Sequence, residues 1–251
     1  MKLYNVLLVC ACLCMVQSAK KLPSYFPQCS RDDPKLNQCL MKAAETVRPY
    51  LLKGVPELSI PSIEPFGIPE VTLEQGTDAL NIKAVLHNTT IHGLGNYKFS
   101  KFEFDVEKYE FRAKAIVKPI SLEGDYKVNG RILVAPIEGQ GQFTAAIESA
   151  DVDFYQKVQR TKNKKGIEFL TPTYTNTSIR VDKPKAHLTG LFGGNEELNS
   201  VTNRIINDNV DVLFEEIRPV IEKILTDVLN NILLQAFETQ IPFDDLYPPK
   251  K

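Results

Sequence analysis

Residues 33–53 carry one apolar stripe, in which Leu36, Leu40, Ala43, Val47 and Leu51 recur at three- and four-residue steps. Asp33 is a good N-cap, Pro34 suits the first helical position and Gly54 is placed to end the element, so an amphipathic helix is predicted there. From about residue 71 to 192 the period falls to two. Tyr97 and Phe99, then Phe102, Phe104 and Val106, then Tyr109, Phe111 and Ala113 mark alternating stretches. Further strands are predicted near 79–91, 125–135, 142–149, 151–160, 167–174 and 177–189. Gly93-Leu94-Gly95, Glu123-Gly124-Asp125, Gly139-Gln140-Gly141 and Asn163-Lys164-Lys165-Gly166 read as the turns between them. Short connections without intervening helices imply an antiparallel meander.

A third pattern closes the chain. After Gly193-Gly194, Asn195 caps a helical periodicity that runs from Leu198 to Phe237, with Glu196 and Glu197 suited to its N-terminal dipole. The element is about 43 residues long, or roughly 65 Å, and Pro219 should kink it. From Val220 onward it is apolar over much of its circumference and must be covered on more than one side. Between the first helix and the strands, Pro56, Pro61, Pro65 and Pro69 alternate with Leu58, Ile60, Ile63, Phe66 and Ile68. Proline bars a helix or central strand and the apolar residues bar a floppy linker, so this reads as an extended, packed segment along the edge of a larger core. These elements define an α+β fold in which a long C-terminal helix is wrapped by a highly curved antiparallel sheet, with a shorter N-terminal helix alongside. The elongated interior of such a roll is either filled by side chains or open to an apolar guest.

The N-terminus changes the picture. Lys2 precedes an almost wholly apolar run from Asn5 to Met15, and Val16-Gln17-Ser18 supplies small or modest residues before Ala19. Residues 1–18 therefore read as a signal peptide, too short for a spanning helix, and 19–251 as a single domain of a secreted, extracellular protein. Three cysteines, Cys10, Cys12 and Cys14, leave with the signal; Cys29 and Cys39 remain and are expected to form a disulfide. Two sequons, at Asn88 and Asn176, are glycosylation candidates, and the polar, turn-like stretch from Tyr174 to Ser178 favours the second.

Charge and chemistry narrow the function. The formal net charge of −1 becomes −2 without Lys2, which gives no basic excess to hold nucleic acid. No second apolar run reaches membrane-spanning length, so stable membrane insertion is not expected. The chain lacks G-x-S-x-G, H-E-x-x-H, G-x-G-x-x-G and a Walker loop, and no metal or cofactor is expected. Its histidines are His87, His92 and His187, and acidic pairs such as Asp151 with Asp153 or Asp244 with Asp245 read as solvated. The expectation is a non-enzymatic, monomeric protein. Two rival readings stand beside it: a lipid-ester hydrolase, and a membrane- or receptor-binding module using Arg160, Lys162, Lys164 and Lys165 at a hairpin tip.

Several segments together resemble the Takeout and haemolymph juvenile-hormone-binding family of insects, over essentially the whole mature chain. They are Gly54-Val-Pro-Glu-Leu-Ser-Ile-Pro-Ser-Ile-Glu-Pro-Phe-Gly-Ile-Pro69, Gly124-Asp-Tyr-Lys-Val-Asn-Gly-Arg-Ile-Leu-Val-Ala-Pro-Ile-Glu-Gly-Gln-Gly141, Leu191-Phe-Gly-Gly-Asn-Glu-Glu-Leu198 and Ile241-Pro-Phe-Asp-Asp-Leu-Tyr-Pro248. The resemblance implies a wrapped-helix roll, a hydrophobic tunnel, secretion, the Cys29–Cys39 pair and a terpenoid or other lipid ligand. Hormone-binding members carry a second disulfide for which this chain has no cysteines, which places it nearer the Takeout branch, with its links to circadian output, feeding and chemosensation. Tunnel-lining candidates are Phe102, Phe104, Phe111 and Tyr126 on strands and Phe214, Ile217 and Ile221 on the helix. A one-residue slip of register would invert which strand residues point inward.

Overall fold

The computed structural model describes residues 20–250, so the segment read as a signal peptide lies outside the described residues. Helix α1 spans Leu36–Leu51. It starts two residues later than the Asp33 cap predicts. The Asp33 carboxylate accepts from the Lys35 N–H at 2.8 Å, and its carbonyl accepts from the Leu36 N–H at 2.9 Å, so Asp33 builds a turn ahead of the helix. Gly54 ends the region at φ +84°.

The proline-punctuated stretch is packed throughout but extended only in its second half. Pro56–Leu58 forms a short 3-10 turn. It buries Val55, Leu58 and Ile60 against Phe26, Val47, Ala236 and Ile241. From Phe66 the chain becomes β1 (Phe66–Gly76), an edge strand, where the missing N–H of Pro69 is tolerated.

The remaining strands are β2 (Leu80–His92), β3 (Lys98–Asp105), β4 (Glu110–Val117), β5 (Ile120–Ile132), β6 (Ala135–Ile147), β7 (Ser149–Lys162), β8 (Glu168–Asp182) and β9 (Lys185–Leu188). They form two sheets, ordered β1-β2-β5-β6-β9 and β3-β4-β7-β8, with every neighbouring pair antiparallel. The antiparallel pairing agrees with the sequence. A single meander does not, because the chain leaves the first sheet after β2 and again after β6.

Two expected turns are strand interior. Glu123-Gly124-Asp125 lies within β5 and Gly139-Gln140-Gly141 within β6. These glycines serve close approach: a Cβ on Gly124 would stand 2.9 Å from the His87 carbonyl oxygen, and one on Gly139 2.7 Å from Leu191 Cα. The reversal between β5 and β6 is instead Leu133-Val134, with Leu133 at φ +52° and Val134 fully in solvent. It carries no glycine and so left no turn signature. The strands expected at 167–174 and 177–189 are likewise recut into β8 and β9.

The long helix is covered by both sheets, in the wrapped-helix roll expected, but it is two helices. Helix α2 spans Glu196–Asp208 and α3 spans Val210–Leu233, followed by a π turn at Leu234–Glu238 and the short α4 (Phe243–Leu246). The interruption falls at Asn209, not at Pro219. Asn209 leaves helical geometry at φ −122°, ψ 17°, and its amide donates to the Ile205 carbonyl at 2.9 Å, replacing a helical hydrogen bond. Pro219 sits on the exposed face of α3, where water can take up the carbonyl it frees. Helix α3 lies against β8 of one sheet and β1 and β2 of the other; α1 lies on β3, and α2 on β9. The Asn195 cap forms as predicted, its side chain accepting from the Leu198 N–H at 3.0 Å. Asn195→Ala should therefore lower stability by about 1 kcal/mol, read by urea denaturation.

Candidate functional site

An apolar hollow lies between α1, the inner face of the four-stranded sheet and the end of α3. Its aromatic wall depends on one bulge. Tyr97 and Phe99 occupy odd positions, whereas Phe102 and Phe104 occupy even ones, so strict alternation cannot turn all four inward. The β3–β4 register shifts between Phe99 and Lys101, and the extra residue Ser100 flips the parity. All four rings then share a face. Ring centroids are 4.9 Å apart for Tyr97–Phe99, 4.8 Å for Phe99–Phe102 and 4.9 Å for Phe102–Phe111.

The cavity measures about 190 Å³. Phe102, Phe104 and Phe111 line it, with Val158 and Leu170 from β7 and β8, Leu40, Ala43, Ala44 and Val47 from α1, Leu233 and Phe237 from the end of α3, and Leu246 and Tyr247 from the C-terminal segment. The N-terminal arm closes one side through Leu22, Phe26, Pro27 and Cys29. Cys29 is bonded to Cys39 on α1, with the Cα atoms 5.8 Å apart.

This disulfide loop also holds the C-terminal segment in place. The Arg31 guanidinium meets Asp244 at 2.5 Å and donates to the Tyr247 carbonyl at 2.9 Å; the Gln28 side chain donates to the Asp245 carbonyl at 2.8 Å, and the Lys250 N–H donates to Asp32 at 2.8 Å. Phe243 is buried between the Arg31 and Arg160 guanidiniums, 5.1 and 4.7 Å from its ring centre.

The other four predicted lining residues are not on this wall. Tyr126 belongs to a separate core cluster with Leu191, Ile206 and Leu213, against which Ile217 packs. Its hydroxyl donates to the Thr189 carbonyl at 2.8 Å, and burial pushes its pKa up to about 12. Phe214 and Ile221 are half-buried on α3 but do not border the cavity.

One part of the lining carries no apolar signal in the sequence, because it is polar. Gln156 and Glu238 are 2% and 5% exposed and both face the cavity. Gln156 donates to the Asn230 side-chain oxygen at 3.3 Å, which also accepts from the Thr175 hydroxyl at 2.8 Å. The Glu238 Oε2 has no hydrogen-bond partner. Burial raises its carboxyl to about 7, partly offset by the Gln156 amide. The Tyr247 phenol, stacked on Phe104 at 4.5 Å, is also raised, by burial first and then by the Glu238 charge. A signal for Gln156 exists in the sequence, since Phe154, Gln156 and Val158 share inward parity and only the middle one is polar. Glu238 is the one acid in the stretch Leu233–Phe237 and beyond to Phe243.

The candidates for other functions lie away from the cavity. His87 Nδ1 is 3.3 Å from Glu70, and His92 Nδ1 is 3.6 Å from Glu64, both half-exposed. At the β7–β8 tip, Arg160 and Lys162 both pair with Glu168, which neutralises part of the basic cluster. Asn88 and Asn176 are both exposed; Asn176 lies within β8 rather than in the turn expected of it. Among the described residues no helix is long and apolar enough to cross a membrane.

Fold and cavity together define a class: a two-sheet roll around a helix with an apolar internal site. The chain belongs to the haemolymph juvenile hormone binding protein (JHBP) family, whose pattern it matches over residues 6–248. It is 22% identical over 241 residues to the circadian clock-controlled protein daywake of Drosophila melanogaster, covering 93% of this chain and 91% of that one. The corresponding Drosophila yakuba protein is also 22% identical, over 245 residues, with 92% and 90% covered. Takeout 1 of Epiphyas postvittana shares the fold with a TM-score of 0.73 at 21% identity, covering 88% of this chain and 98% of that one.

Proposed function

We propose that the protein is a secreted, non-enzymatic carrier that holds a small apolar ligand, a terpenoid or other lipid, in the cavity between α1 and the four-stranded sheet. The observation that carries this reading is the cavity of about 190 Å³ with an aromatic and aliphatic wall, where close packing would normally leave no such void. Transfer of an apolar ligand from water into it is favoured by roughly 25 cal/mol per Å² of buried apolar surface. The Cys29–Cys39 disulfide suits an oxidising, extracellular compartment. Membership of a family described as haemolymph juvenile hormone binding supports an apolar cargo, and similarity to a clock-controlled protein supports a part in circadian or feeding output. Asn88 and Asn176 are exposed and open to glycosylation.

Native mass spectrometry of the secreted chain, before and after organic extraction, tests the reading by revealing a co-purifying lipid and its mass. In parallel, Ala43→Phe should fill the cavity and weaken binding of the fluorescent apolar probe N-phenyl-1-naphthylamine by at least about tenfold. Ile217→Trp, which packs against the separate core cluster, should leave affinity within about threefold while lowering stability. Loss of probe binding in Ile217→Trp and not in Ala43→Phe would place the ligand elsewhere. Ester turnover removed by changing one histidine or acid would favour a hydrolase, and salt-sensitive flotation with anionic vesicles would favour a membrane module.

A further inference from the structure

We propose that the cavity receives the hydroxyl end of an apolar alcohol, a fatty or terpenoid alcohol, against a polar wall made by Glu238, Gln156 and Tyr247. This rests on reading the cavity as the ligand site and names the chemistry of the ligand's end.

Glu238 is the least expected group in the interior. It sits on the π turn that ends α3, is 5% exposed, faces the cavity, and leaves Oε2 without a partner. A buried carboxylate oxygen that has left water without gaining a hydrogen bond is costly, and in a native protein it calls for a partner that the polypeptide does not supply. The surrounding groups are held in place. The Gln156 amide donates to Asn230, whose oxygen also accepts from the Thr175 hydroxyl; this fixes the amide beside the Glu238 carboxyl, where it eases the charge yet leaves Oε2 without a hydrogen bond. The Tyr247 ring is fixed by stacking on Phe104, and its phenol remains protonated at any ordinary pH because burial raises it.

Once Glu238 is ionised, the wall presents a carboxylate that accepts and a phenol that donates, at one side of an otherwise apolar hollow. A hydroxyl matches both: its proton goes to Glu238 and its lone pair accepts from Tyr247. An ether or ester can only accept and leaves Oε2 unpaired. A fatty carboxylate would set two negative charges together in a poorly solvated site. The cavity is somewhat larger than the roughly 150 Å³ hollow that holds benzene, which suits a chain of roughly eight carbons or a branched equivalent, with the rest at the mouth.

The test uses the delipidated full chain at pH 8, where Glu238 is ionised, and displacement of N-phenyl-1-naphthylamine by decan-1-ol, decyl methyl ether and decanoic acid. The alcohol should displace the probe at a concentration at least about tenfold below either competitor, as a hydrogen bond to a buried charged group implies. Glu238→Met, which removes the acceptor and the charge while keeping an apolar side chain of similar length, should erase the preference over the ether and tighten decanoic acid. Tyr247→Phe, which keeps the stacked ring, should reduce the alcohol preference at least about threefold. Equal displacement by alcohol and ether in the unchanged protein, or a preference that survives both substitutions, overturns the proposal while leaving the carrier reading intact. Failure of the unchanged protein to bind the probe or any of the three compounds overturns the carrier reading, and this proposal falls with it.

Discussion

Asn203→Leu is expected to destabilise the protein by about 3 kcal/mol, although the two side chains are close in shape. Strand β9 is an edge strand paired with β6 on one side only. Its other edge is met by a helix. Asn207 accepts from the Ala186 N–H at 3.0 Å and donates to the Ala186 carbonyl at 2.7 Å. Asn203 does the same for Leu188, both at 2.8 Å. Asn199 accepts from the Leu191 N–H at 3.1 Å and donates to the Leu188 carbonyl at 3.1 Å.

The fit follows from two periodicities. Four residues of helix advance about 6.0 Å, and two residues of strand about 6.6 to 6.8 Å, so asparagines at four-residue steps meet alternate residues of a neighbouring strand. Helix α2 thereby completes the hydrogen bonding of the sheet edge and blocks its pairing with another chain. Leucine at 203 would leave the part-buried Leu188 N–H without a partner, which costs about 1 to 3 kcal/mol, and would leave the Leu188 carbonyl with Asn199 alone, a further loss of about 1 kcal/mol. Urea denaturation followed by far-ultraviolet circular dichroism measures the loss. Asn231→Ala, on the exposed face of α3, should change stability by less than about 0.5 kcal/mol. A loss below 1 kcal/mol in Asn203→Leu would mean that water replaces the side chain and that the ladder is not structural.

The second large effect is a pH dependence. A solvated glutamate loses its proton near 4.5, whereas Glu238 keeps its proton up to about 7, chiefly because it is buried. Between those values the folded state binds more protons than the unfolded state, so this group makes stability fall as pH rises through that window. The penalty is absent below pH 4.5, complete above about 7, and amounts to about 3 kcal/mol. Glu238→Gln removes the charge and keeps the shape. The variant should match the unchanged protein at pH 4 and exceed it by about 3 kcal/mol at pH 8, in urea denaturation of delipidated samples. A pH-independent difference would show that Glu238 ionises at an ordinary value and faces water. The same group ties stability to occupancy, since an alcohol hydroxyl bonded to Oε2 should lessen the penalty and raise the melting temperature most at high pH.

Much of the architecture is visible in the order of residues. The stripe from Leu36 to Leu51 marks α1, alternation marks the strands, and Asn195 marks the start of α2, because these signals are local and periodic. The errors share one cause. Gly124 and Gly139 look like turn residues, but they are glycines because other segments of backbone pass within 3 Å of where a Cβ would stand. Leu133-Val134 reverses the chain with no turn residue at all. Pro219 looks like the point of bending, yet the bend belongs to Asn209, whose side chain supplies an alternative hydrogen bond. In each case long-range or side-chain contacts override a local rule.

The cavity divides in the same way. Aromatic alternation on β3 and β4 brought Phe102, Phe104 and Phe111 forward from the sequence, and they do line the hollow. Tyr126 and Ile217 share the same apolar character but belong to a separate core cluster at the other end of the roll. Composition and pattern alone establish the element types, an apolar interior too large for one thin layer, and a cysteine pair left to join. They do not establish which apolar residues face a void, because that depends on how two sheets close around α3 and on a single bulge at Ser100. Nor do they place Glu238 beside Gln156 and Tyr247, residues far apart in the chain that meet only when the disulfide loop, through Arg31, draws the C-terminal segment over the cavity.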